Sequence, residues 1–266
     1  MRRHFHKMHG LGNDFVIVDA RQEPFEVTHA LARAIADRRT GVGCDQLIVL
    51  EPSETADLRM RIWNSDGGEV ESCGNATRCV VRLTGASNID SDGGLLTGAD
   101  LGAEVEVAIG EPRFAWEDIP LAYPMDTAAL PMAWDGLEQP FAVNVGNPHL
   151  VFFVADAREI PLETLGPRIE NDPAFPERIN VNVATYVHDR LKLRTFERGA
   201  GETLACGTGA CASAVAAIAT RRAASPVRVD MTGGSLTIDW APGRQILMRG
   251  GATHVFEGEL DLDALQ

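Results

Sequence analysis

The chain reads as an α+β protein of two pseudo-symmetric domains, each a curved, mixed or antiparallel, barrel-like β-sheet wrapped around a central helix, with the active site in the cleft between them. Three observations predict this. First, the sequence repeats itself at half its length of 266 residues. A shift of 133 carries Arg61-Ile-Trp-Asn64 onto Arg194-Thr-Phe-Glu197, and Cys73-Gly74-Asn75 onto Cys206-Gly207-Thr208. A shift of 134 carries Gly12-Asn13 onto Gly146-Asn147 and Gln46 onto Asn180. Second, each half holds many short strand-like runs but a single long helical one, which starts at the cysteine in both. Many strands and one helix bury each other best when the sheet wraps the helix. Third, 45% hydrophobic and 23% charged residues is an ordinary globular composition, with chain enough for two cores. The expected division is 1–115 and 116–251, the tail from about 252 to 266 packing back on the first module.

The elements follow in order. Residues 1–20 read as a strand, a loop from Met8 to Asp14, and a second strand Phe15–Val18. Thr28–Arg39 has an amphipathic helical pattern, with Leu31, Ala34 and Ile35 on one face and Thr28 as N-cap. Gly41–Gln46 is a turn into the strand Leu47–Leu50, Arg59–Trp63 is a short strand, and Asn64–Gly68 a tight turn. Cys73 opens a helix to about Leu83. The stretch Ser87–Gly110 is rich in Gly and Asp and carries one strand signal, Val105–Ile109. Prolines at 112, 120, 124, 131 and 140 punctuate the next thirty residues, placing the module boundary near 111–118. Strands then read at Phe141–Val145, Leu150–Val154, Val181–Val187 and Leu191–Phe196, with a helix at Leu162–Glu170. The turn Gly199–Gly201 leads to Cys206 and a helix to about Arg222. A hairpin, Val227–Met231 with Ser235–Asp239, and further strand over Arg244–Val255 complete the pattern. The acidic residues beyond Glu257 carry no element signal.

Composition excludes several functions. A net charge of −14 and a pI near 4.9 argue against nucleic acid and anionic membrane, which both attract a basic face. No run is long enough for a membrane span, and the basic start, Met1-Arg-Arg-His-Phe-His-Lys7, is followed by no apolar signal segment. An odd count of five cysteines fits a reducing cytoplasm rather than a disulfide framework.

Cys206 sits in a glycine-rich turn where a helix begins, so unpaired backbone amides and the helix dipole are expected to favour its thiolate. A single cysteine in an Ala-rich helix is more often a packing residue. Duplication points to chemistry instead. Two thiols facing one ligand suit stereoinversion without a cofactor: a thiolate removes an α-proton from one face while a thiol delivers one to the other. The helix-start amides could hold the substrate carboxylate and its developing charge. Pyridoxal phosphate chemistry needs a lysine, and the chain has only Lys7 and Lys192, neither in a phosphate-binding context.

The sequence resembles the diaminopimelate epimerase family. The segments that carry the resemblance are His9-Gly-Leu-Gly-Asn-Asp-Phe15, Gly43-Cys-Asp-Gln46, Asn64-Ser-Asp-Gly67, Cys73-Gly-Asn75, Gly146-Asn-Pro-His149, Glu177-Arg-Ile-Asn180, Glu197-Arg-Gly199 and Ala205-Cys-Gly-Thr-Gly-Ala-Cys211, in family order over nearly the whole chain. The resemblance implies interconversion of LL- and meso-diaminopimelate in lysine and peptidoglycan precursor synthesis, with no cofactor. Cys73 and Cys206 would then be the acid–base pair, with His149 and Glu197 tuning their protonation. Gly74 with Asn75, and Gly207 with Thr208, would bind the reacting carboxylate and amine. Asn13, Gln46, Asn64, Asn147, Asn180, Glu197 and Arg198 would recognise the substrate, with Asn64, Asn180 and Arg198 at its distal end. One departure stands out. The family commonly reads Met-Cys-Gly-Asn-Gly-Ala-Arg-Cys where this chain has Ser72-Cys-Gly-Asn-Ala76-Thr77-Arg-Cys79, and Ala76 and Thr77 are expected to narrow the space beside the substrate.

Alternatives are a related cofactor-independent racemase or epimerase acting on another amino acid, an isomerase of the phenazine-biosynthesis type, which should lack the paired cysteines, and a non-catalytic binding module, which has no need of two thiols. The expected partner is a small-molecule substrate, with room for a homodimer. Cys44, Cys79 and Cys211 read as packing residues, and Asp45, Asp66 and Glu202 as turn or capping residues. His149 follows Asn-Pro in a turn of exposed type. His4, His6 and His9 cluster near the start, but no carboxylate lies at ligand spacing, so no metal site is expected.

Overall fold

The chain opens on a long hairpin. In the computed structural model, which describes residues 2–71 and 73–265, β1 (Arg2–Gly10) and β2 (Asn13–Asp19) pair antiparallel up to Gly10↔Asn13. Leu11 and Gly12 alone form the turn, both at positive φ, 58° and 87°, as a two-residue hairpin connection requires. Most of the expected Met8–Asp14 loop is therefore strand. Met1, Gln266 and Ser72, the first residue of the family departure, lie outside the described residues.

α1 (His29–Ala36) is shorter than the pattern predicts; the Thr28 hydroxyl caps it by accepting from the Leu31 amide at 3.1 Å. β3 (Gln46–Glu51), β4 (Leu58–Asn64) and β5 (Glu69–Val70) lead to α2 (Gly74–Thr84), which Gly85 ends in the left-handed conformation. The Gly- and Asp-rich stretch hides two strands, β6 (Asn88–Ser91) and β7 (Gly94–Asp100), before β8 (Val105–Gly110). Its polar composition masks them because β7 is largely exposed.

A small hairpin, β9 (Ala133–Trp134) and β10 (Leu137–Glu138), sits in the proline-punctuated segment. β11 (Phe141–Asn144), β12 (Pro148–Phe153), α3 (Leu162–Glu170), β13 (Asn180–Val187), β14 (Arg190–Glu197) and β15 (Gly201–Thr203) follow. Then come α4 (Gly207–Ala219), β16 (Val227–Met231), β17 (Gly234–Asp239), β18 (Ile246–Gly250) and β19 (Thr253–Asp261). The chain forms two compact units, residues 1–107 with 250–266 and residues 108–249. In the first, β19 pairs antiparallel with β1 from Arg2↔Asp261 to His9↔Thr253, with a bulge at Lys7/Met8. The acidic stretch past Glu257 is thus part of a strand.

The repeat in sequence is a repeat in topology. From β1 to β7 the pairings run antiparallel (β1–β2), parallel (β2–β3), antiparallel (β3–β4, β4–β5), parallel (β4–β6) and antiparallel (β6–β7). From β11 to β17 the same series recurs: β11–β12, β12–β13, β13–β14 with β14–β15, β14–β16 and β16–β17. Register is kept too, Leu47↔Trp63 in one unit matching Val181↔Phe196 in the other.

Alternate residues of each sheet face opposite sides. Val16, Val18, Leu47, Val49 and Trp63 form a core with Ala32, Ile35 and Ala36 of α1. Leu150, Phe152, Val181, Val183 and Phe196 do so with Leu162, Leu165 and Ile169 of α3. Both faces of the central strands are therefore buried, which is why β3 reads as a continuous apolar run. α4 is buried nearly all round from Gly209 to Ala217, as its small, uniformly apolar sequence demands. Among the described residues, no helix is long and apolar enough to cross a membrane.

Candidate active site

In the first unit the sequence-predicted residues gather at strand ends around the start of α2. Cys73 is the N-cap residue, with extended backbone, so the amides of Gly74 and Asn75 belong to the first helical turn, where they lack intrahelical acceptors. Its Sγ lies 3.9 Å from Asn13 Oδ1, which also accepts from Asn75 Nδ2 at 3.2 Å. Asn13 Nδ2 donates to Asp45 at 2.9 Å, and Gln46 Nε2 donates to Asn64 Oδ1 at 2.9 Å. Asn13, Gln46, Asn64, Cys73 and Gly74 all remain partly exposed.

Arg78, which no sequence motif singled out, and Asp45, expected to be a turn or capping residue, hold this cluster. Arg78, fully buried, donates to Asn75 Oδ1 at 2.8 Å and reaches the Gly74 and Gly251 carbonyls at 3.5 and 3.4 Å. Its place one turn after Asn75 was the available signal. Asp45 is more than a turn residue: besides Asn13 it takes the Asp14 amide at 3.0 Å and Arg38 at 2.8 Å. Burial opposes ionisation of Asp14, but hydrogen bonds and charge from Arg38 and Lys7 hold its carboxyl far below the usual carboxylate range. Ala76 and Thr77 are buried, and the Thr77 hydroxyl donates to the Cys73 carbonyl at 2.9 Å. They pack inside the unit.

In the second unit Cys206 caps α4, 4% exposed, accepting from the Gly209 amide at 3.3 Å with Thr208 Oγ1 at 3.5 Å. The expectation of a depressed thiol pKa is overturned. Burial, then the negative charge of Glu197, push Cys206 well above the usual thiol range, outweighing the Thr208 and Gly209 bonds. The helix start alone does not decide it. Glu197 accepts from Thr203 Oγ1 at 2.5 Å.

His149 is not in an exposed turn. It lies on β12 with no exposed surface, and burial, then the charge of Arg198, drop its pKa to about 3. Its protonation can be read from the network. Asn182 Nδ2 lies 3.0 Å from His149 Nδ1 and 2.8 Å from the Leu150 carbonyl, while Asn182 Oδ1 accepts from Thr195 Oγ1 at 2.9 Å. Both amide hydrogens are thus donated, Nδ1 is the acceptor, and Nε2–H points to Asn147 Oδ1 at 2.9 Å. A neutral ring with both nitrogens engaged positions its neighbours; it is not poised to take a proton.

Asn182, Thr195 and Gly209 were also missed. A Cβ on Gly209 would lie 2.6 Å from Asn182 Oδ1 and 2.8 Å from Thr195 Oγ1, so only glycine lets this network press against the start of α4. The signal was a polar residue between valines, Val181-Asn182-Val183, in a buried strand. Asn180 bridges the Pro148 carbonyl at 2.8 Å and the Arg198 amide at 2.9 Å, and exposed Arg198 reaches the Glu177 carbonyl at 2.9 Å. Glu202, read as a turn residue, forms a two-pronged pair with Arg194 at 2.7 and 2.9 Å. Cys44, Cys79 and Cys211 are buried, and burial pushes Cys44 and Cys79 up to about 11 and 12, as expected of packing residues. Lys7, one of the two lysines, is bound to Asp14 and the Gly43 carbonyl.

The chain is 64% identical to the diaminopimelate epimerase of Rhizorhabdus wittichii over 99% of its length and 97% of the relative's. It is 61% identical to that of Sphingopyxis alaskensis, over 98% of both chains. Among solved structures, a Bacillus anthracis phenazine biosynthesis protein of the PhzF family superposes with a TM-score of 0.68 at 17% identity, covering 98% and 99% of the two chains. A hydroxyproline epimerase from Agrobacterium vitis, with bound trans-4-hydroxy-L-proline, gives 0.62 at 14%, covering 97% and 91%; at such identities the likeness is one of fold. The profile described as diaminopimelate epimerase matches residues 5–114 and 141–255, spanning the β1–β7 and β11–β17 repeats with both cysteine-capped helices, and the chain belongs to this family.

Proposed function

We propose that the protein is a cofactor-independent epimerase that interconverts LL- and meso-diaminopimelate, in lysine and peptidoglycan precursor synthesis, by proton transfer between Cys73 and Cys206. The observation that carries this reading is the pair of cysteines at equivalent N-cap positions of α2 and α4, in a chain whose relatives bear that enzyme's name. Residues 1–107 with 250–266 and residues 108–249 serve as its two halves.

In one direction Cys73 thiolate takes the α-proton and the Cys206 thiol supplies one to the opposite face of the carbanion, becoming thiolate. In the other the roles exchange, so no net proton is consumed. Burial and Glu197 keep Cys206 protonated at rest, the form a proton donor needs. Once it has donated, the Gly209 amide and the Thr208 hydroxyl stabilise the thiolate. The first-turn amides at Gly74, Asn75, Gly207 and Thr208 bind the reacting carboxylate and spread the carbanion charge. Asn13, Gln46, Asn64, Asn147, Glu197 and Arg198 recognise the remaining polar groups. Asn180 acts by fixing the Arg198 backbone, and His149 by orienting Asn147 and Asn182. The substrate is a free small molecule met in the cytoplasm, and a homodimer is the assembly this reading carries.

The test is epimerisation of LL-diaminopimelate in deuterated water without added cofactor, beside proline, glutamate and histidine. Early product should carry deuterium at the inverted carbon while recovered substrate remains unlabelled, because the delivered proton comes from a second, solvent-exchanged group. Equal labelling of substrate and product would exclude the two-base scheme. Turnover of another amino acid in preference to diaminopimelate would replace the substrate.

A further inference from the structure

On the exposed side of the first unit, far along the chain from either cysteine, β1 and β19 bring together the side chains of His4, His6, His254 and Glu257. Sequence spacing concealed this cluster. The histidines of β1 had no nearby carboxylate, but antiparallel pairing sets Glu257 directly opposite His6. The strand bulge between Lys7 and Met8 brings His254 to the same place.

The geometry points to a divalent transition-metal site, of Zn2+ type, formed by His6, His254 and Glu257 with His4 as the fourth side chain. His6 Nδ1 and His254 Nε2 are 3.1 Å apart, and Glu257 Oε2 lies 3.7 Å from both His6 Nδ1 and His4 Nε2. The ligand atoms of His6, His254 and Glu257 fall within 4.8 Å of one another. Nitrogen and oxygen ligands of a tetrahedral Zn2+ at ~2.0–2.2 Å lie about 3.3–3.5 Å apart, so the observed edges bracket that value. The longest closes by rotation of the exposed Glu257 side chain. The two facing ring nitrogens can share one hydrogen, or both can present lone pairs to a single cation from nearly unchanged positions. Imidazole and carboxylate together select a metal of borderline softness over Ca2+ or Mg2+, which take oxygen ligands. Because its ligands come from both β1 and β19, the ion ties these two paired strands together. The site is separate from the epimerase reading and stands or falls without it.

The experiment titrates the metal-free, full-length protein with Co2+, then displaces it with Zn2+, and follows thermal unfolding alongside. Expected are one Co2+ per chain with visible d–d bands, no thiolate-to-cobalt charge-transfer band, and a rise of several degrees in Tm with Zn2+. Both effects should vanish in His6→Ala and His254→Ala and weaken in Glu257→Gln. These residues lie outside the catalytic machinery, so each variant should keep the metal-free Tm and epimerase activity. Unchanged Co2+ binding in both His variants, a thiolate band showing the ion on cysteine, or no ion retained by the wild-type protein would each overturn the site.

Discussion

The two units repeat one topology but fill its centre with opposite chemistry. Where the first has Phe15, Ile48, Ile62 and Ala76, all without exposed surface, the second has His149, Asn182, Thr195 and Gly209. The positions correspond strand for strand: Ile48 faces Ile62 across β3 and β4, and Asn182 faces Thr195 across β13 and β14. One half closes beneath its cysteine helix with an ordinary apolar core, the other with a hydrogen-bonded chain from Asn147 through His149 and Asn182 to Thr195. The cysteines differ in step. Cys206 is buried, bonded to the Gly209 amide and close to Glu197, whereas Cys73 is partly exposed beside Asn13. In the proposed two-thiol reaction, a symmetric exchange would thus start from an asymmetric resting state, in which the buried side keeps its thiol.

The largest expected effect is one the difference does not touch. Cys73→Ala and Cys206→Ala should each lower epimerisation by at least the ~10²–10⁴-fold that a general acid or base supplies, measured by formation of meso-diaminopimelate from the LL isomer. A variant retaining most activity would break the equivalence of the halves. Their difference should emerge on alkylation with iodoacetamide, where partly exposed Cys73 reacts faster than Cys206; the reverse order would contradict the burial.

Transplanting one half's centre into the other tests the asymmetry itself. His149→Phe alone strands the Asn182 amide and Asn147 Oδ1, and should cost about 1–3 kcal/mol of stability, the usual penalty for a buried unpaired polar group. The quadruple change His149→Phe, Asn182→Ile, Thr195→Ile, Gly209→Ala removes the three buried polar side chains together and copies the first unit, leaving only the partly exposed Asn147 amide and the Leu150 carbonyl without their former partners. It should unfold within about 1 kcal/mol of wild type, yet lose tenfold to a hundredfold in activity as the start of α4 shifts. Full activity in the quadruple variant would reduce the network to packing.

The same pair of proteins separates in pH. His149 titrates at about 3 in the folded chain and near 6.5 when unfolded, so between those values the unfolded state binds the extra proton. Stability from this group is full above about pH 6.5 and falls as the pH drops toward 3, with a slope of at most about 1.4 kcal/mol per pH unit. Urea melts at pH 7 and pH 5 should show the wild type losing more than the quadruple variant; equal losses would mean that the histidine is not held neutral.

How much of this was legible follows from where each signal lies. The repeat, the cysteine-led helices and α3 from Leu162 to Glu170 were plain because they rest on local pattern. The strands β6 and β7 were not, since Asp90, Asp92 and Gly98 follow no alternation on an exposed hairpin. Cys206 was placed correctly at a helix start, but its charge state depends on burial and on Glu197, which only the folded chain brings near. His149 was misplaced for a related reason: Asn-Pro usually marks an exposed turn, and nothing local says that β12 begins at Pro148 and carries the ring inward. Partners such as Asn182 lie 33 residues from His149, beyond the reach of a motif.

The smallest effect concerns a feature that both halves kept. Arg61 grips Glu69 at 2.7 and 3.1 Å, and Arg194 grips Glu202 at 2.7 and 2.9 Å, each across the short hairpin that leads to a cysteine helix. These pairs are about a quarter to a third exposed, so solvent screening limits each to about 1 kcal/mol or less. Their surroundings differ, however. Arg61 stacks over Trp63 at 4.7 Å, a contact that methionine partly preserves, whereas Arg194 also donates to the Ala157 and Ile160 carbonyls at 2.8 and 2.7 Å. Arg61→Met should therefore cost about 0.5–1 kcal/mol, and Arg194→Met about 1–2 kcal/mol, because the second change also removes a donor from two carbonyls. Urea unfolding of the two variants gives the comparison directly. Equal losses would mean that the carbonyl contacts contribute nothing, and that the halves are alike at this hairpin in energy as well as in geometry.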